Sequence, residues 1–421
     1  MRILWITGSL LPEAIAKIRG EEIQKWNTTG SWIIGAAERL TCVEGIELSM
    51  LSTSQDVKRL TRVVTGKITS YAIPYGKGHF NENTAYNRYM EEIREAVQPD
   101  IVHIHGTEYS HGLAWLRVCG GKNVVISIQG MTSVYANYYH TGISNIDILT
   151  HISFRDIIRG GILREQARFK KRGQFEIEMI QHVNHIIGRT SWDKAHTWAI
   201  NPNAEYHWGG ETLRKEFYTG ELWDYSKCHK HSIFLSQSFA PLKGLHQLLI
   251  ALPIILREYP DTQVIVAGMD PTLGYDSSQW WRITGYGRYI KSLIRKLKIK
   301  DHLTFIGPKN AEEMKQELLK CNLFLCPSSI ENSPNSLGEA QILGVPCIAS
   351  YVGGIPDMMH GNEENLYRFE DIEMLAEKIC TVFQNKEHQK DLSKEAAQRH
   401  NPQKNVEELM KIYESIIHPD L

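Results

Sequence analysis

Short apolar runs alternate with helical patterns along the chain, and this alternation constrains the fold more than any other feature. A buried parallel strand is a short apolar run, and the connection to its parallel neighbour is usually a helix. In the first half such runs lie at residues 2–8, 100–105, 123–129 and 185–188. The rhythm restarts near residue 232, with runs at 232–237, 263–268, 302–307, 322–326 and 346–350. The sequence therefore predicts two consecutive α/β units.

The length supports the same division. A chain of 421 residues is too long for one core, because domains average about 150 residues. We predict one domain over residues 1–225 and a second over 226–402, with polar residues near the junction. In open parallel sheets, ligands bind beyond the carboxyl ends of the strands, so a ligand is expected in the cleft between two such units.

Charge and cysteine content exclude several classes of protein. The 47 Lys and Arg residues oppose 48 Asp and Glu residues, which disfavours a nucleic-acid-binding module. Seven scattered cysteines do not suggest a disulfide framework. The longest aliphatic run, at 248–256, is shorter than the roughly 20 residues of a membrane span. We therefore expect a cytoplasmic protein that can still contact the inner face of a membrane peripherally.

Familiar nucleotide-binding glycine motifs are missing from the sequence. No G-x-G-x-x-G string follows a predicted strand, and no Walker phosphate loop is present. An oxidoreductase with a dinucleotide cofactor is therefore disfavoured, and any nucleotide must be held in another way.

A dense group of chemistry-bearing residues lies at 327–359, directly after the predicted strand 322–326. Pro334 interrupts the chain, so a helix is predicted to begin near Asn335 or Ser336. Free N–H groups at a helix N-terminus attract phosphate, and here they would belong to Ser336 and Leu337.

Two carboxylates flank this predicted helix start. Glu331 lies on the loop before it and Glu339 lies in its first turn. A carboxylate accepts hydrogen bonds from two sugar hydroxyls at once, so the segment can hold a phosphate between two polyols. The alternative is that Ser336-x-x-Glu339 is a capping box and Glu331 an ordinary exposed acid.

The wider motif pattern points to a known family. The motifs are Pro327-x-x-x-Glu331, Pro334-Asn335-Ser336-Leu337, Glu339-Ala340, Gly344-x-Pro346 and Gly353-Gly354-x-Pro356. Together they resemble the signature of family-4 (group 1) retaining glycosyltransferases, most specifically over residues 232–360. The resemblance implies the GT-B fold, in which two Rossmann-like parallel-sheet domains face a central cleft. The first domain would bind the acceptor and the second the nucleotide sugar, and a last helix, 403–421, would cross back to the first domain.

The resemblance also implies an activity. It is hexosyl transfer, with retention, from a nucleotide-diphosphate sugar to a saccharide or lipid-linked acceptor, in surface polysaccharide or glycoconjugate assembly. No cofactor and no essential metal are implied. Glu331 would contact the donor sugar and Glu339 the ribose. The backbone at Ser336 and Leu337, next to Pro334 and Asn335, would meet the diphosphate.

Lys243 is the second implied catalytic residue. It precedes Gly244 where the first helix of the second half begins, so its charge can stabilise a leaving diphosphate. The family usually carries an arginine five or six positions earlier, where this chain has Gln237 and Ser238. We assign Ser238 to the donor site and expect part of the phosphate contact to come from elsewhere. Without a ligand, Lys243 would be a solvated lysine at a helix start.

Candidates in the first half are less specific. Gly30 precedes a predicted helix, where its backbone amide could meet the donor phosphates, although Ser31 could simply cap that helix. Gln129 stands where the family often has a histidine, and its amide can hydrogen-bond a ligand but cannot carry a proton.

Three further residues are acceptor-side candidates together with Gln129: Trp32, His105 and Glu108. His103-x-His105 also has a spacing seen in metal sites, but no Asp or Cys cluster completes it, so we expect cleft lining or packing and no bound metal.

The sequence also fits two other functions, and one basic surface has two interpretations. A GT-B nucleotide-sugar epimerase would need no acceptor, and a non-catalytic nucleotide-sugar-binding subunit would fit the missing arginine and histidine. The basic run from Arg164 to Arg172 is either a solvated face or a contact with anionic lipid.

Overall fold

The computed structural model describes residues 1–22, 31–75, 86–273, 283–385 and 390–419. These residues form two compact units. The first unit contains residues 1–134, 169–214 and 400–421, and the second contains 135–168 and 215–399. Residues 135–168, which the sequence pattern grouped with the first domain, thus make most of their contacts within the second unit.

The described part of the first unit is built on an eight-stranded sheet in the order β3-β4-β2-β1-β5-β6-β7-β8. All neighbouring strands are parallel except β3, which pairs antiparallel with β4 at one edge. The strands are β1 (Arg2–Ile6), β2 (Glu47–Ser54), β3 (Thr61–Thr65), β4 (Ile68–Pro74), β5 (Ile101–His105), β6 (Val124–Ser127), β7 (His185–Gly188) and β8 (Glu205–Trp208).

The described part of the second unit contains a six-stranded parallel sheet in the order β11-β10-β9-β12-β13-β14. Its strands are β9 (Ser232–Leu235), β10 (Gln263–Ala267), β11 (Leu303–Gly307), β12 (Leu323–Cys326), β13 (Cys347–Ser350) and β14 (Leu366–Tyr367). The order reverses at β9 and β12, which is the kind of position where open α/β sheets bind ligands. The predicted fold class, two parallel-sheet α/β domains, is confirmed.

Helices connect the strands and cover both sheets. In chain order they are α1 (Pro12–Arg19), α2 (Ser31–Leu40), α3 (Asn87–Val97), α4 (Ser110–Cys119), α5 (Thr132–Tyr135), α6 (Asn145–Thr150), α7 (Phe154–Arg159), α8 (Ile162–Gln181), α9 (Ser191–Ile200), α10 (Leu245–Glu258), α11 (Gly285–Leu297), α12 (Ala311–Lys320), α13 (Asn335–Leu343), α14 (Ile355–Met358), α15 (Ile372–Gln384), α16 (Lys390–Arg399) and α17 (Pro402–Ile417). No described helix is both long and apolar enough to cross a membrane.

The last helix, α17, belongs to the first unit. The Tyr413 hydroxyl accepts a hydrogen bond from Trp5 Nε1 at 2.9 Å and lies 2.6 Å from His103 Nδ1. All three side chains are almost fully buried against the sheet. The contact therefore fixes the end of the chain on the strands β1 and β5.

One local prediction differs slightly from the structure: Lys243 lies in a short 3-10 turn, and α10 begins only at Leu245. Gly160, with a positive φ of 87°, ends α7 and separates it from α8. Near the predicted domain junction, Trp223 is buried and its Nε1 donates to Cys321 O at 2.7 Å.

Candidate active site

Two loops at the carboxyl ends of β9 and β12 bring Lys243 and Glu331 together. Gly244, with φ 70°, allows the first loop to approach the second, because a Cβ there would lie 1.6 Å from Pro327 O. Gly353 (φ 54°) does the same on the other side, where a Cβ would lie 1.8 Å from Glu331 O. The glycines of the sequence motifs therefore have a packing reason: they hold the backbone around Glu331.

Lys243 and Glu331 form a largely buried ion pair. Nζ lies 2.5 Å from Oε1, and Ser328 Oγ donates to the same carboxylate oxygen at 2.9 Å. The side chains are 24% and 11% exposed. Burial alone would lower the pKa of Lys243, but the Glu331 charge and hydrogen bond outweigh it and raise that pKa above its ordinary value. Lys243 is thus a fixed cation beside a carboxylate that can accept hydroxyl hydrogen bonds.

The N-terminus of α13 lies on the same loop. Its N-cap residue is Pro334, which makes no side-chain cap hydrogen bond. The Leu337 N–H donates to Pro334 O at 3.0 Å, whereas the N–H groups of Asn335 and Ser336 have no acceptor among the described residues. The anion-binding groups at this helix start are therefore those of Asn335 and Ser336, one residue earlier than expected. The capping-box alternative does not describe this terminus, because Ser336 lies inside the helix.

The remaining donor-side candidates are placed as follows. Glu339 is 2% exposed, on the buried side of α13. Ser238, after β9, is fully buried, and its hydroxyl has no hydrogen-bond partner among the described residues. Gln237, by contrast, lines the same small depression as Lys243 and Glu331. Gly30 lies outside the described residues.

Three of the four acceptor-side candidates line a partly enclosed pocket of the first unit. They are Trp32 on α2, His105 at the carboxyl end of β5, and Gln129 after β6. Its volume of about 70 Å³ holds several water molecules at roughly 10–15 Å³ each. The pocket is therefore large enough for part of a polar ligand only.

His105 is the unusual side chain of this pocket. It is 6% exposed, and neither ring nitrogen has a hydrogen-bond partner among the described residues. Its ring stacks on His103 at 3.7 Å and meets the Trp5 ring edge-on at 4.5 Å. Burial, with smaller effects of His103 and Arg189, lowers the His105 pKa well below its ordinary value, so the ring is neutral at pH 7.

His103, in contrast, has a structural role. Its Nδ1 lies 2.6 Å from Tyr413 Oη and its Nε2 lies 2.6 Å from Ser127 Oγ. Because both nitrogens are already engaged, the His103-x-His105 pair is not a ready-made metal site.

Glu108 does not line the pocket but lies near it, on the loop after β5, since a Cβ at Gly106 would be close to both Glu108 Oε2 and Gln129 Cγ. Burial raises its pKa to about 7, and the neighbouring Glu176 adds to this effect. Its carboxylate lies over Gly106, where a Cβ would be 2.2 Å from Oε2. A carboxyl group with this pKa can exchange a proton near neutral pH.

Two charged residues of the pocket were not anticipated from the sequence. Arg189 forms an ion pair with Glu211 and donates through Nη2 to Ile128 O at 2.7 Å. Glu211 is 6% exposed, and its Oε1 has no hydrogen-bond partner among the described residues. Their positions in the sequence could have indicated them, because they follow the carboxyl ends of the neighbouring strands β7 and β8. Ligands bind at this edge of a parallel sheet.

One group of side chains in the described part of the chain could hold a metal ion. The ligand atoms of His185, Glu205 and His207 lie within 4.8 Å of one another on β7 and β8. In the structure His185 Nδ1 lies 3.1 Å from His207 Nε2, so the two rings are paired with each other.

Comparison with known proteins gives one family match. Residues 227–399 match the model for glycosyl transferases group 1. The matched segment covers β9–β14 and both Lys243 and Glu331.

Curated relatives match over part of their length. Spore coat protein SA of Bacillus subtilis is 28% identical over 181 residues, which are 41% of this chain and 46% of that protein. The amylovoran biosynthesis glycosyltransferase AmsK of Erwinia amylovora is 32% identical over 91 residues, 20% of this chain and 22% of that protein. The chain thus matches half or less of the length of these relatives.

Solved structures match over the whole chain at low identity. Sucrose-phosphate synthase from Thermosynechococcus elongatus has a TM-score of 0.70 at 14% identity, over 99% of both chains. Anabaena HepE in complex with UDP has a TM-score of 0.62 at 13% identity, over 99% of this chain and all of that one. These similarities show the GT-B fold.

Proposed function

Because residues 227–399 match the model for glycosyl transferases group 1, we propose that this protein transfers a sugar from a nucleotide-diphosphate sugar, with retention, to a saccharide or lipid-linked acceptor. The observation that carries the proposal is the Lys243–Glu331 pair beside the uncapped N-terminus of α13. This arrangement offers positive charge for a diphosphate and a carboxylate for sugar hydroxyls, at adjacent points of one loop.

The diphosphate has two sources of stabilisation in this proposal. Lys243 supplies a full charge, and the N–H groups of Asn335 and Ser336 supply the partial charge of a helix N-terminus. Both are in place before the reaction, so they stabilise the charge that develops as the glycosidic bond breaks. Two such sources support a reaction that needs no essential metal, and they offset the missing arginine at the Gln237–Ser238 positions.

Glu331 and Glu339 orient the two polyol parts of the donor. Glu331 accepts hydrogen bonds from the sugar, and Glu339 accepts them from the ribose. Glu339 is almost inaccessible to solvent in the structure, so this contact requires the side chains around α13 to move when the donor binds.

No side chain of the acceptor-side set needs to act as a strong base. The lowered pKa makes His105 a poor base, Gln129 cannot take up a proton, and Glu108 does not line the pocket. In this proposal the leaving phosphate itself accepts the proton of the attacking hydroxyl. His105 Nδ1 or Nε2, Gln129 and the Arg189–Glu211 pair would instead hold acceptor hydroxyls. Relatives named for colanic acid and amylovoran biosynthesis support a role in surface polysaccharide assembly.

The test begins with thermal unfolding of the full chain in a panel of nucleoside diphosphates and their sugars. A donor raises the melting temperature by mass action. The donor so found is then incubated with and without lipid-linked and free saccharides, and the anomeric configuration of the product is determined. Transfer with retention is expected.

Variants and controls complete the test. Glu331→Ala and Lys243→Ala should abolish transfer in folded protein, whereas the exposed pair Glu221→Ala and Lys227→Ala, elsewhere in the same unit, should leave it unchanged. A change of donor sugar without acceptor would indicate an epimerase, and donor binding without turnover a non-catalytic subunit; either result would refute the proposal.

A further inference from the structure

Large apolar side chains are exposed together on one short segment of the second unit. We call them the α6–α7 surface, and they lie on α6, α7, the turn between them and the start of α8. The exposed fractions are 73% for Ile146, 61% for Leu149, 42% for Ile152, 59% for Phe154, 73% for Ile157, 61% for Ile158 and 49% for Leu163. Elsewhere in the described chain, comparably exposed side chains such as Trp198 and Leu222 stand apart in sequence. A contiguous apolar patch of this kind marks an interaction surface.

The opposite face of the same helices is firmly anchored. Ile148 of α6 is 7% exposed and belongs to the hydrophobic core of the second unit. At the start of α7, Ser153 and Asp156 form a complete capping box, and both residues are buried. The His151 ring packs edge-on against Tyr289 of α11 at 5.5 Å. The outward direction of the apolar side chains is therefore set by the fold.

The spacing of the exposed residues gives each short helix an apolar outer face. On α7, Phe154, Ile157 and Ile158 follow the i, i+3, i+4 pattern. On α6, Ile146 and Leu149 are three residues apart and lie on one side.

Basic side chains border the apolar surface. Arg159 and Arg164 are exposed and lie next to Ile158 and Leu163 in the sequence. Of the three acidic residues in 138–168, Asp156 lies in its buried cap, Glu165 pairs with Arg168, and Asp147 accepts a hydrogen bond from Ser144 Oγ at 2.6 Å. An apolar face with a positive border is complementary to the surface of a membrane that contains anionic lipid.

We propose that the α6–α7 surface inserts into the interfacial layer of an anionic membrane, with Arg159 and Arg164 contacting the lipid headgroups. The apolar side chains supply the binding energy through burial among acyl chains, and the basic border supplies selectivity for negative charge. The contact is peripheral and does not depend on the proposed transfer reaction. It would bring the enzyme to the surface where a lipid-linked acceptor is found.

Cosedimentation of the full chain with vesicles tests the proposal. Phosphatidylcholine vesicles are compared with vesicles that also contain about 30 mol% phosphatidylglycerol, an anionic lipid. The wild type should partition onto the anionic vesicles, and salt should weaken the binding. The triple variant Ile146→Ser, Ile157→Ser, Ile158→Ser should lose roughly tenfold or more in partition coefficient, because three largely exposed side chains no longer enter the lipid.

Matched controls distinguish the contribution of this surface from non-specific adsorption of exposed apolar or basic side chains to the vesicles. Trp198→Ser with Leu222→Ser removes exposed apolar side chains elsewhere and should leave binding unchanged. Arg159→Gln with Arg164→Gln should abolish the preference for anionic lipid. Lys291→Gln with Arg295→Gln and Lys296→Gln, on the exposed basic face of α11, should not.

Three results would overturn the proposal. In the first, the wild-type protein stays in solution with anionic vesicles. In the second, the triple isoleucine variant binds these vesicles as well as the wild type does. In the third, light scattering shows that the wild type is a dimer and the triple variant a monomer. The last result would make the surface a contact between copies of the chain. Donor-induced stabilisation, measured in the same preparations, should be equal in the wild type and all these variants, so the two proposals can fail separately.

Discussion

Replacement of Lys243 by methionine is the sharpest test of the proposed active site. The substitution Lys243→Met removes the ammonium group but keeps most of the volume beside Glu331. Loss of one preorganised electrostatic contact to a developing anion typically costs about 2.7–4 kcal/mol, or a hundredfold to thousandfold in kcat. We expect a loss of this size in the rate of nucleoside diphosphate release. The expected effect on KM is smaller, since the α13 N-terminus still binds the diphosphate.

The same substitution should also destabilise the fold, by an amount that the structure bounds. Removal of one partner from a buried ion pair costs about 3–5 kcal/mol. The Lys243 and Glu331 side chains are 24% and 11% exposed, so we expect the lower end, about 3 kcal/mol. At about 2.1 cal/mol/K of unfolding entropy per residue, this lowers the Tm of a 421-residue chain that unfolds in one transition by about 3 °C. Calorimetry measures the shift, and kinetics are run well below the transition.

A double variant separates the two effects. Adding Glu331→Gln to Lys243→Met removes the unpaired carboxylate, so much of the lost Tm should return. Activity should not return, because the cation that stabilises the leaving group is still missing. If Lys243→Met turns over within about threefold of the wild type, the catalytic role of the pair is refuted.

Three further predictions concern the surroundings of the site and the first unit. Gly244→Ala should lower Tm more than Gly307→Ala, because both have positive φ but only the first would place a Cβ 1.6 Å from a carbonyl oxygen; equal shifts would contradict this packing argument. Glu108 has a folded-state pKa of about 7, raised from 4.5, so its protonated form favours folding below pH 4.5 and that contribution is lost as pH rises to about 7. Glu108→Gln should therefore match the wild type at low pH and exceed its stability at pH 8 in denaturant titrations, and a pH-independent difference would count against the raised pKa. Tyr413→Phe should cost about 1–3 kcal/mol, because it leaves Trp5 Nε1 buried without its acceptor, and urea unfolding measures the loss.

The sequence predicted the strands that are continuous apolar runs better than those interrupted by polar residues. β1, β5, β6 and β7 are short runs rich in apolar residues, chiefly Ile and Val, as strands buried on both faces should be. β2, β3 and β4 escaped prediction because Ser and Thr interrupt their apolar pattern. β3 is an antiparallel edge strand with alternating exposure, so it does not need the continuous apolar run that marks the others.

For the candidate site, the sequence identified the residues and the structure identified their contacts. The motif around Glu331 and the position of Lys243 were both visible, because short loop motifs are contiguous in the chain. The 2.5 Å approach of their side chains joins residues 88 positions apart, which no local pattern records. Arg189 and Glu211 were missed for the same reason: each is an unremarkable polar residue until β7 and β8 place them side by side.

The chain by itself determined the alternation of strands and helices, the restart near residue 232 and the family motif of the second half. These properties are local, since they depend on residue type and on spacing over a few positions. Tertiary packing alone decided which backbone N–H groups at α13 lack an acceptor, that residues 135–168 pack within the second unit, and that the apolar side chains of α6 and α7 face solvent. Each of these depends on which side of an element is covered, and that is set by contacts between residues far apart in the chain.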